Sequence, residues 1–264
     1  MQIAVCIKSV PDPDYYDKII IEPVTKTLVR DGIPTVINAA DKHALEQALQ
    51  LKEKFGGEVT VVSMGPPAAR VQLLEALALG ADKAYLLSDR KVGGADTLAT
   101  SYTLSQLIRA TGEYDMILAG NESADGATSH VPSQLGEWLG WNHSMNVIAM
   151  EMEDDGHVLV TKQFENGRGV YRLALPCVVA VNQRINKVRY VNAMAALKAK
   201  KKPLEVWSSE NVVLDEAYIG LKGSPSKNGE LETVESSKDC QMFEGDESEV
   251  AAAILEKILP VLGR

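Results

Sequence analysis

The sequence predicts an α/β fold built on a doubly wound, mostly parallel sheet. Two observations support this prediction. In the first 140 residues, short apolar runs alternate with longer segments of helical periodicity, and the links between them are short. Such alternation is typical of parallel strands covered by helices on both faces. After Gly140, closely spaced β-type runs replace the alternation, which predicts an antiparallel excursion followed by a C-terminal arm.

The first 140 residues are predicted to form four strands and four helices. Apolar runs predict the strands, and apolar residues spaced three or four apart predict the helices. Proline near a helix start and glycine after a helix end support the boundaries at Pro67, Gly80 and Gly112. The predicted strands are 3–7, 59–64, 83–87 and 116–119, and the predicted helices are 41–55, 67–79, 96–110 and one that ends near Gly140.

Hairpins are predicted in two places. An insertion before the first long helix carries two short apolar runs, 19–22 and 27–30, that predict a hairpin. Farther along, Asp154-Asp155-Gly156 and Glu165-Asn166-Gly167 separate β-type runs and are strong hairpin signals. These runs are 147–151, 157–164 and 170–175, followed by a buried strand at 177–181 and a short helix at 192–201.

Beyond Pro203 the apolar rhythm is lost, and residues 220–240 are rich in Gly, Ser, Lys and Glu, as is typical of a linker. We therefore expect a nucleotide-binding or flavin-binding α/β domain, 1–203, and a C-terminal arm, 204–264. The arm ends in a predicted amphipathic helix, about 247–262. A lone helix cannot bury its apolar stripe by itself, so it either docks on a partner subunit or folds back onto its own chain.

Composition argues against several classes of function. The chain has 264 residues, 45% hydrophobic and 24% charged, and a formal net charge of -9, which disfavours nonspecific binding to nucleic acid or anionic lipid. Its three cysteines, Cys6, Cys177 and Cys240, are odd in number and lack metal-type spacing. The sequence carries neither a long apolar span nor a leader pattern. We therefore expect a cytoplasmic protein without a metal site or a membrane partner.

The most informative stretch is Gly120 to Pro132, which runs from the fourth predicted strand into a helix. The first turn of a helix offers backbone N–H groups without partners inside the helix, and the positive end of the dipole favours an anion. In doubly wound sheets, ligands lie at the carboxyl ends of the strands, here near loops 8–11 and 63–66. We therefore predict a phosphate-bearing cofactor. Asn38 and Asp41 are expected to cap the first long helix and to face the same crevice.

Several segments resemble one protein family. They are Val5-Cys6-Ile7-Lys8-Ser9-Val10-Pro11-Asp12, Val62-Ser63-Met64-Gly65-Pro66, the Gly120 to Pro132 loop, and the stretch from Leu175-Pro176-Cys177-Val178-Val179 through Arg189-Tyr190 to Lys198-Ala199-Lys200-Lys201-Lys202. Together they are similar to the beta subunit of electron-transfer flavoproteins along nearly the whole chain. The resemblance implies an adenine-nucleotide-binding α/β fold, a heterodimer with an alpha subunit, and electron transfer to or from a partner flavoenzyme.

Members of this family hold either structural AMP or, in the bifurcating type, a second FAD in the beta subunit. The segment Gly93 to Ser101 resembles the bifurcating type and favours FAD. Thr97 and Thr100 place hydroxyl donors at one helix end, where a flavin edge or a pyrophosphate would fit. The alternative is that Asp96 with Thr97 simply caps the helix, and AMP stays the alternative cofactor.

The resemblance also implies individual contacts. Cys6 and Asn38 would touch adenine or ribose, and Met64 would line the adenine pocket. Asp41 is also expected to bind the cofactor because of its place in the crevice. His130 and Pro132 depart from the AMP-binding type, which has glutamine and glycine there; His130 is either a charged donor near a reduced flavin or a capping or surface histidine. The phosphate cradle would consist of Gly120, Asp125, Gly126, Thr128, Ser129, His130 and Val131, with Asp125 capping the turn or holding a ribose hydroxyl.

The segment Tyr190-Val191-Asn192-Ala193-Met194 resembles the loop by which such proteins recognise an acyl-CoA dehydrogenase. That loop carries a leucine anchor where this chain has Ala193. An anchor needs a large apolar side chain, so we expect Met194 or Leu197 to substitute and the partner or the docking mode to differ. The alternative is that these residues pack their own helix.

With FAD bound, the resemblance implies that NADH delivers hydride to the beta-subunit flavin, whose two electrons then part. One goes to ferredoxin or flavodoxin, and the other passes through the alpha-subunit FAD to a flavin-dependent dehydrogenase of the acyl-CoA or 2-hydroxy-acid type. No side chain is expected to be catalytic, since the flavin carries the chemistry. Two other classes stay open: a hydrolase using Ser123, Asp125 and His130, although no G-x-S-x-G elbow is present, and an ATP-binding sensor of the stress-protein type.

Overall fold

The computed structural model describes residues 1–18, 20–21, 28–29, 32–153, 156–226, 229 and 240–263. In chain order, the strands of these residues are β1 (Gln2–Cys6), β2 (Ser9–Pro11), β3 (Ile20–Ile21), β4 (Leu28–Val29), β5 (Thr35–Ile37), β6 (Glu58–Met64), β7 (Lys83–Leu87), β8 (Met116–Gly120), β9 (Asn142–Met152), β10 (His157–Phe164), β11 (Gly167–Ala174), β12 (Cys177–Val181) and β13 (Leu204–Trp207). The helices are α1 (Ala39–Phe55), α2 (Arg70–Leu79), α3 (Thr97–Thr111), α4 (Val131–Leu139), α5 (Ala193–Ala199) and α6 (Glu247–Leu262).

Nine of the described strands form one sheet, in the order β11-β10-β9-β12-β8-β1-β6-β7-β13. Every neighbouring pair from β9 to β13 in that order is parallel, and β10 adds antiparallel pairs with β9 and β11 at one edge. The predicted doubly wound, mostly parallel sheet with an antiparallel excursion is therefore confirmed. The excursion does not form a separate layer, because β9 pairs with β12 and extends the main sheet.

The central strand β1 shows how both faces of the sheet are covered. Successive side chains of a strand point to opposite faces. Ile3 and Val5 pack with Leu45 in the layer of α1 and α2. Ala4 and Cys6 pack in the layer of α3 and α4. All four β1 residues are buried, as expected of a parallel strand with helices on both sides.

Helix α2 begins later than its sequence pattern predicts. Residues Pro67–Ala69 form a 3-10 turn, and the α-helix starts at Arg70. Two consecutive prolines, Pro66 and Pro67, explain the delay, because each has a fixed φ and lacks the N–H group that a regular helix uses. The helix ends as predicted at Gly80, which has a φ of 142° and donates its N–H to the carbonyl of Ala76.

The insertion before α1 contains the predicted hairpin. β3 and β4 pair antiparallel, with Ile20 opposite Val29. Residues 19, 22–27 and 30 of that prediction lie outside the described residues, as do Asp154 and Asp155 of the later turn. A second antiparallel pair, β2 with β5, precedes α1 and leads the chain back to the edge of the sheet where β1 ends.

The segment 204–226 packs on the α/β domain, whereas the sequence places it in the arm. β13 pairs in parallel with β7, with Leu204 opposite Ala84. Val212 and Ile219 are buried in the layer of α3 and α4. An edge strand of four residues and isolated apolar anchors show too little periodicity to be recognised from sequence. The sheet therefore extends to residue 207, and residues 227–228 and 230–239 of the arm lie outside the described part of the chain.

The terminal helix α6 is present with the predicted limits. It opens with a capping box, in which the Asp246 side chain accepts from Glu249 N and the Glu249 side chain accepts from Asp246 N. No residue of α6 is buried against the described part of the chain. The described contacts therefore do not support folding back onto the same chain. None of the described helices has both the length and the apolar character needed to cross a bilayer.

Candidate functional site

The strand order of the sheet reverses beside β1. The chain proceeds from β1 to β6 and β7 on one side and then returns to β8 and β12 on the other. Ligands of such sheets bind in the crevice at the carboxyl ends of the strands that flank this reversal. Here those strands are β1 and β8. The fold therefore brings together the start of α1 and the loops 7–11 and 120–131 at one edge.

Asp41 joins the ends of β1 and β8. Its carboxylate accepts hydrogen bonds from Lys8 N at 2.7 Å, from Gly120 N at 3.0 Å and from Asn38 Nδ2 at 3.0 Å. Burial raises the pKa of Asp41 to about 6, although these hydrogen bonds act in the opposite direction. Its described bonds all go to protein groups, so Asp41 holds the walls of the crevice together. A contact with a cofactor stays a prediction for this residue.

Gly120 leaves no room for a side chain. A Cβ at this position would lie 2.3 Å from Asp41 Oδ1 and 2.7 Å from Ala40 Cβ. The absence of a Cβ lets β8 approach the start of α1 closely enough for Asp41 to accept the Gly120 N–H. Gly120 therefore forms the floor of the crevice, which gives a structural reason for its place at the predicted site.

Asn38 occupies the N-cap position of α1, but its side chain does not cap the helix. The prediction of a side-chain cap is wrong here, because the amide binds tertiary partners instead. Its Nδ2 donates to the carbonyl of Glu122 at 2.8 Å, and its Oδ1 accepts from Ala124 N at 3.1 Å. Asn38 thereby fastens the loop after β8 to the start of α1.

Lys8 reaches across the crevice to the same loop. Its Nζ lies 2.6 Å from Asp125 Oδ1 and donates to Ser123 Oγ at 3.1 Å. Asp125, whose negative charge would repel a phosphate bound in this loop, is thus paired with a cation. Ser123 Oγ accepts this hydrogen bond from Lys8, and among the described residues no hydrogen bond joins Ser123 to His130, so the arrangement does not support the hydrolase alternative.

Small residues shape the remainder of the loop. Ala127 and Ser129 adopt positive φ values of 45° and 55°, in a backbone region that residues other than glycine rarely occupy. Ser129 Oγ donates to Glu122 Oε2 at 2.9 Å, which ties the two ends of the loop together. Gly126 has little space for a Cβ, which would lie 3.2 Å from Ser123 Oγ. The loop is therefore a narrow cradle of backbone and small side chains.

Helix α4 begins at the end of this cradle without a side-chain cap. His130 is the N-cap residue, is exposed, and makes no capping hydrogen bond. The N–H groups of Val131 and Ser133 lie in the first turn, where no partner exists within the helix. Pro132 between them has no N–H to satisfy. This helix start fits a phosphate, which would be held by backbone N–H groups and the helix dipole. Thr128, also predicted as a contact, is exposed in the cradle.

Helix α3 begins beside α4 and is capped. Asp96 Oδ1 accepts from Ala99 N at 3.0 Å, which confirms the capping interpretation of this segment. Thr97 and Thr100 lie half-buried in the first turn. Ser101 Oγ lies 3.4 Å from Gln134 Oε1 of α4, so the two helix starts are neighbours.

Cys6 and Met64 lie at the ends of adjacent strands. Cys6 is buried at the end of β1, and burial raises the pKa of its thiol to about 12, so the thiol is neutral. Met64 ends β6 and packs, partly buried, on the layer of α3 and α4. Both residues are at the sheet edge where the sequence places them, and their contacts with adenine stay predictions.

A second candidate surface is formed by α5. Asn192 caps this helix by accepting from Ala195 N at 2.8 Å. Met194 and Leu197 are exposed at 64% and 59%, and Ala193 is also exposed. The larger apolar side chains thus project from the helix instead of packing it. An open, mostly apolar groove of about 690 Å³ adjoins them, lined in part by Leu74, Val188, Tyr190 and Ala196.

Sequence reasoning missed the ion-pair network that supports α5. Arg189 Nε and Nη2 contact Glu46 at 2.7 and 3.0 Å, and Nη1 contacts Glu53 at 2.6 Å. Glu46 is buried, and although burial raises its pKa, the hydrogen bonds from Arg189 lower it overall. Lys202, at the end of the stretch Lys198-Ala199-Lys200-Lys201-Lys202, donates to the carbonyls of Leu77 and Ala81 at the end of α2. The partners are more than 100 residues apart, so no local pattern shows them.

Comparison with known proteins agrees with this geometry. A family model described as "Electron transfer flavoprotein domain" matches residues 25–212, which include the cradle and α5. This chain belongs to the electron transfer flavoprotein family, as a beta subunit. It is 39% identical over 258 residues to the electron transfer flavoprotein subunit beta of Clostridium acetobutylicum, covering 98% of each chain.

Two further relatives of this beta subunit carry other names. The caffeyl-CoA reductase-Etf complex subunit CarD of Acetobacterium woodii is 38% identical over 260 residues, with 98% of each chain covered. Protein FixA of Azorhizobium caulinodans is 39% identical over 233 residues, which cover 86% of this chain and 82% of that protein. Within the described residues of the beta subunit, no group of three or more His, Cys, Asp or Glu side chains is arranged to hold a metal ion.

Proposed function

We propose that this chain is the FAD-binding beta subunit of a bifurcating electron transfer flavoprotein, and that it works as a heterodimer with an alpha subunit in the cytoplasm. The observation that carries the proposal is the neighbouring position of two helix starts at the reversal of strand order. The start of α4 is uncapped and follows a cradle of small residues. The start of the neighbouring helix α3 carries Thr97 and Thr100.

The two helix starts suit the two halves of a dinucleotide. The cradle from Gly120 to Val131 would hold the diphosphate through backbone N–H groups. The hydroxyls of Thr97 and Thr100 would meet the part of the cofactor beyond the diphosphate. AMP needs a single phosphate site, so the threonine hydroxyls favour FAD over AMP. The residues present therefore fit the larger cofactor.

A bound flavin would supply hydride acceptance from NADH and transfer of its electrons, one at a time, to ferredoxin or flavodoxin and to the FAD of the alpha subunit. The chain's own residues bind and orient it. Asp41 and Asn38 keep the strand ends and the cradle together, and the neutral Cys6 thiol closes one wall without adding charge. No side chain of this crevice needs to act as a nucleophile.

The final acceptor would be a flavin-dependent dehydrogenase. One relative is named as a subunit of a caffeyl-CoA reductase complex, which favours a dehydrogenase of the acyl-CoA type over one for 2-hydroxy acids. Met194 and Leu197 on α5 would contact it, because they are the large exposed side chains beside the position of Ala193. The apolar residues of α6 would dock on the alpha subunit.

The proposal is tested by counting cofactors in the purified heterodimer. Absorption spectroscopy and mass analysis of the nucleotides released by denaturation would give two FAD for each heterodimer. One FAD together with one AMP would reject the bifurcating type and leave an ordinary electron transfer flavoprotein. A colourless heterodimer that releases ATP would reject the flavoprotein assignment of the crevice and favour a nucleotide sensor.

A further inference from the structure

The Lys8 ammonium lies over the cradle at the end of β8. Its Nζ is 2.6 Å from Asp125 Oδ1 and 3.1 Å from Ser123 Oγ. A Cβ built on Gly126 would lie 3.9 Å from the same nitrogen, which places the charge directly beside the glycine of the cradle. The backbone below is held firmly, because Lys8 N donates to Asp41. The Lys8 backbone is thus held by Asp41, and its ammonium is held over the cradle by Asp125 and Ser123.

The pair is asymmetric in exposure. The Lys8 side chain is 47% exposed and the Asp125 side chain 17%. An ammonium on a flexible four-carbon stem has three donors, and Lys8 uses two of them on Ser123 and Asp125. A phosphate that enters the cradle from the solvent side meets the exposed ammonium and is repelled by the carboxylate behind it.

We propose that Lys8 is the cationic contact for the phosphate groups of the ligand, and that Asp125 competes with those phosphates for the Lys8 ammonium. The inference rests on the proposed function only in requiring a phosphate-bearing ligand in this crevice. Lys8 then contributes specificity for phosphate, while Asp125 weakens binding and keeps the ammonium over the cradle. A purely structural ion pair would do something different, since it would only tie β1 to the loop.

The proposed role predicts that replacing Asp125 strengthens ligand binding, whereas a purely structural ion pair predicts that it weakens binding. The heterodimer, freed of bound nucleotide, is titrated calorimetrically with FAD, ADP and adenosine. For Lys8→Met we expect at least tenfold weaker binding of FAD and ADP and unchanged binding of adenosine, because one charge-assisted hydrogen bond is lost. For Asp125→Asn we expect about threefold tighter binding of FAD and ADP. In the Lys8→Met background, Asp125→Asn should tighten binding by less than it does in the wild type, because Asp125 acts partly by holding Lys8 and partly by repelling the phosphate directly.

Two matched variants control for charge and folding. Lys8→Arg keeps the positive charge and should bind ADP within about threefold of the wild type. Lys42→Met removes the same charge from α1, where Lys42 pairs with Glu75 at 2.8 Å outside the crevice, and should leave all three ligands unchanged. The affinity of Lys8→Met for ADP should also depend less on salt, since screening acts on the lost attraction.

Equal weakening of FAD, ADP and adenosine in both single variants would overturn the proposal and show that the pair is structural. Unchanged ADP binding in Lys8→Met would overturn it as well, even if the wild type binds FAD. If the wild type binds ADP but not FAD, the proposed flavin fails while the Lys8 test stands on ADP. If the wild type binds neither FAD nor ADP, both proposals are wrong.

Discussion

The starts of α3 and α4 lie side by side at the same sheet edge, yet they differ in whether a side chain accepts from their N–H groups. At α3 the Asp96 carboxylate accepts from Ala99 N, and its second oxygen accepts from Ser226 N. At α4 the N-cap residue is His130, whose side chain makes no capping bond. One helix start is satisfied by the chain itself, and the other leaves its N–H groups available.

The difference shows where an anion fits. A carboxylate already occupies the positive end of α3, so a second anion there would meet charge repulsion, and the N–H group of Ala99 is already paired. The start of α4 has no such carboxylate cap. Of the two acidic side chains in the loop before it, Glu122 accepts from Ser129 Oγ and Asp125 is paired with Lys8. Under the proposed function the phosphates would therefore lie at α4, and α3 would offer only its threonine hydroxyls.

The largest expected effect comes from Gly120→Ala at the floor of the α4 site. The new Cβ would overlap Asp41 Oδ1 and separate β8 from α1. We expect a loss of about 3 kcal/mol in the free energy of unfolding, together with loss of nucleotide binding. Urea unfolding and a binding titration would measure both. Gly229→Ala is the control, because its Cβ would have nothing within 4 Å, and it should match the wild type.

The next effect is a pH dependence that Asp41→Asn should remove. The native pKa of Asp41, about 6, lies above its ordinary value of 3.8, so the native state binds the proton more tightly than the unfolded state. The contribution of Asp41 to stability is therefore full below about pH 4 and is lost as the pH rises through 6. The stability difference between wild type and variant should change by about 2 kcal/mol between about pH 4.5 and about pH 7.5. A constant difference in urea unfolding would mean that Asp41 titrates normally.

A smaller effect is expected at the capped helix. Asp96→Ala removes the cap of α3 and should lower the free energy of unfolding by about 1 kcal/mol. Asp96→Asn is the matched variant, because its amide oxygen still caps Ala99 N while its amide nitrogen cannot accept from Ser226 N. We expect Asp96→Asn to retain most of the stability but to speed amide hydrogen exchange at 224–226. Equal thermal midpoints for Asp96→Ala and the wild type would contradict the assigned cap.

The smallest effect is expected at the start of α4, which has no side-chain cap. Because His130 makes no capping bond, His130→Ala should change the free energy of unfolding by less than about 0.5 kcal/mol. Thermal unfolding of the two alanine variants, at positions 96 and 130, in one buffer tests the comparison directly. A loss at His130 as large as that at Asp96 would mean that both helix starts are capped and that α4 is not the anion site.

Local sequence patterns were sufficient to predict most of the strands and helices. Apolar periodicity located the parallel strands and long helices, because each element must bury one stripe or face regardless of its partners. The turn at Glu165-Asn166-Gly167 was recognisable because Asn and Gly between two β-type runs are typical of a hairpin turn. The strand Leu204–Trp207 was not, since four residues at a sheet edge, with half of the side chains exposed, leave almost no pattern.

The sequence indicated the residues of the candidate site but only part of their contacts. The small residues from Gly120 onward follow a strand and precede a helix, and that order is sufficient to indicate an anion site. The side-chain roles of Asn38 and Lys8 were not predictable. Each binds the loop after β8 from more than 80 residues away, and the sequence shows only a helix-capping residue in one case and an ordinary lysine in the other.

By itself, the sequence determined the alternation of strands and helices, the membership of the family and the edge of the sheet where a ligand belongs, because these depend on periodicity and chain order. Tertiary structure alone decided how the two helix starts are held by distant residues. Ser226 N donates to the second oxygen of the Asp96 cap, Asn38 binds the loop before α4, and Lys8 pairs with Asp125. Hydrogen bonds and ion pairs are set by distances of about 3 Å between atoms, and only the folded chain specifies those distances.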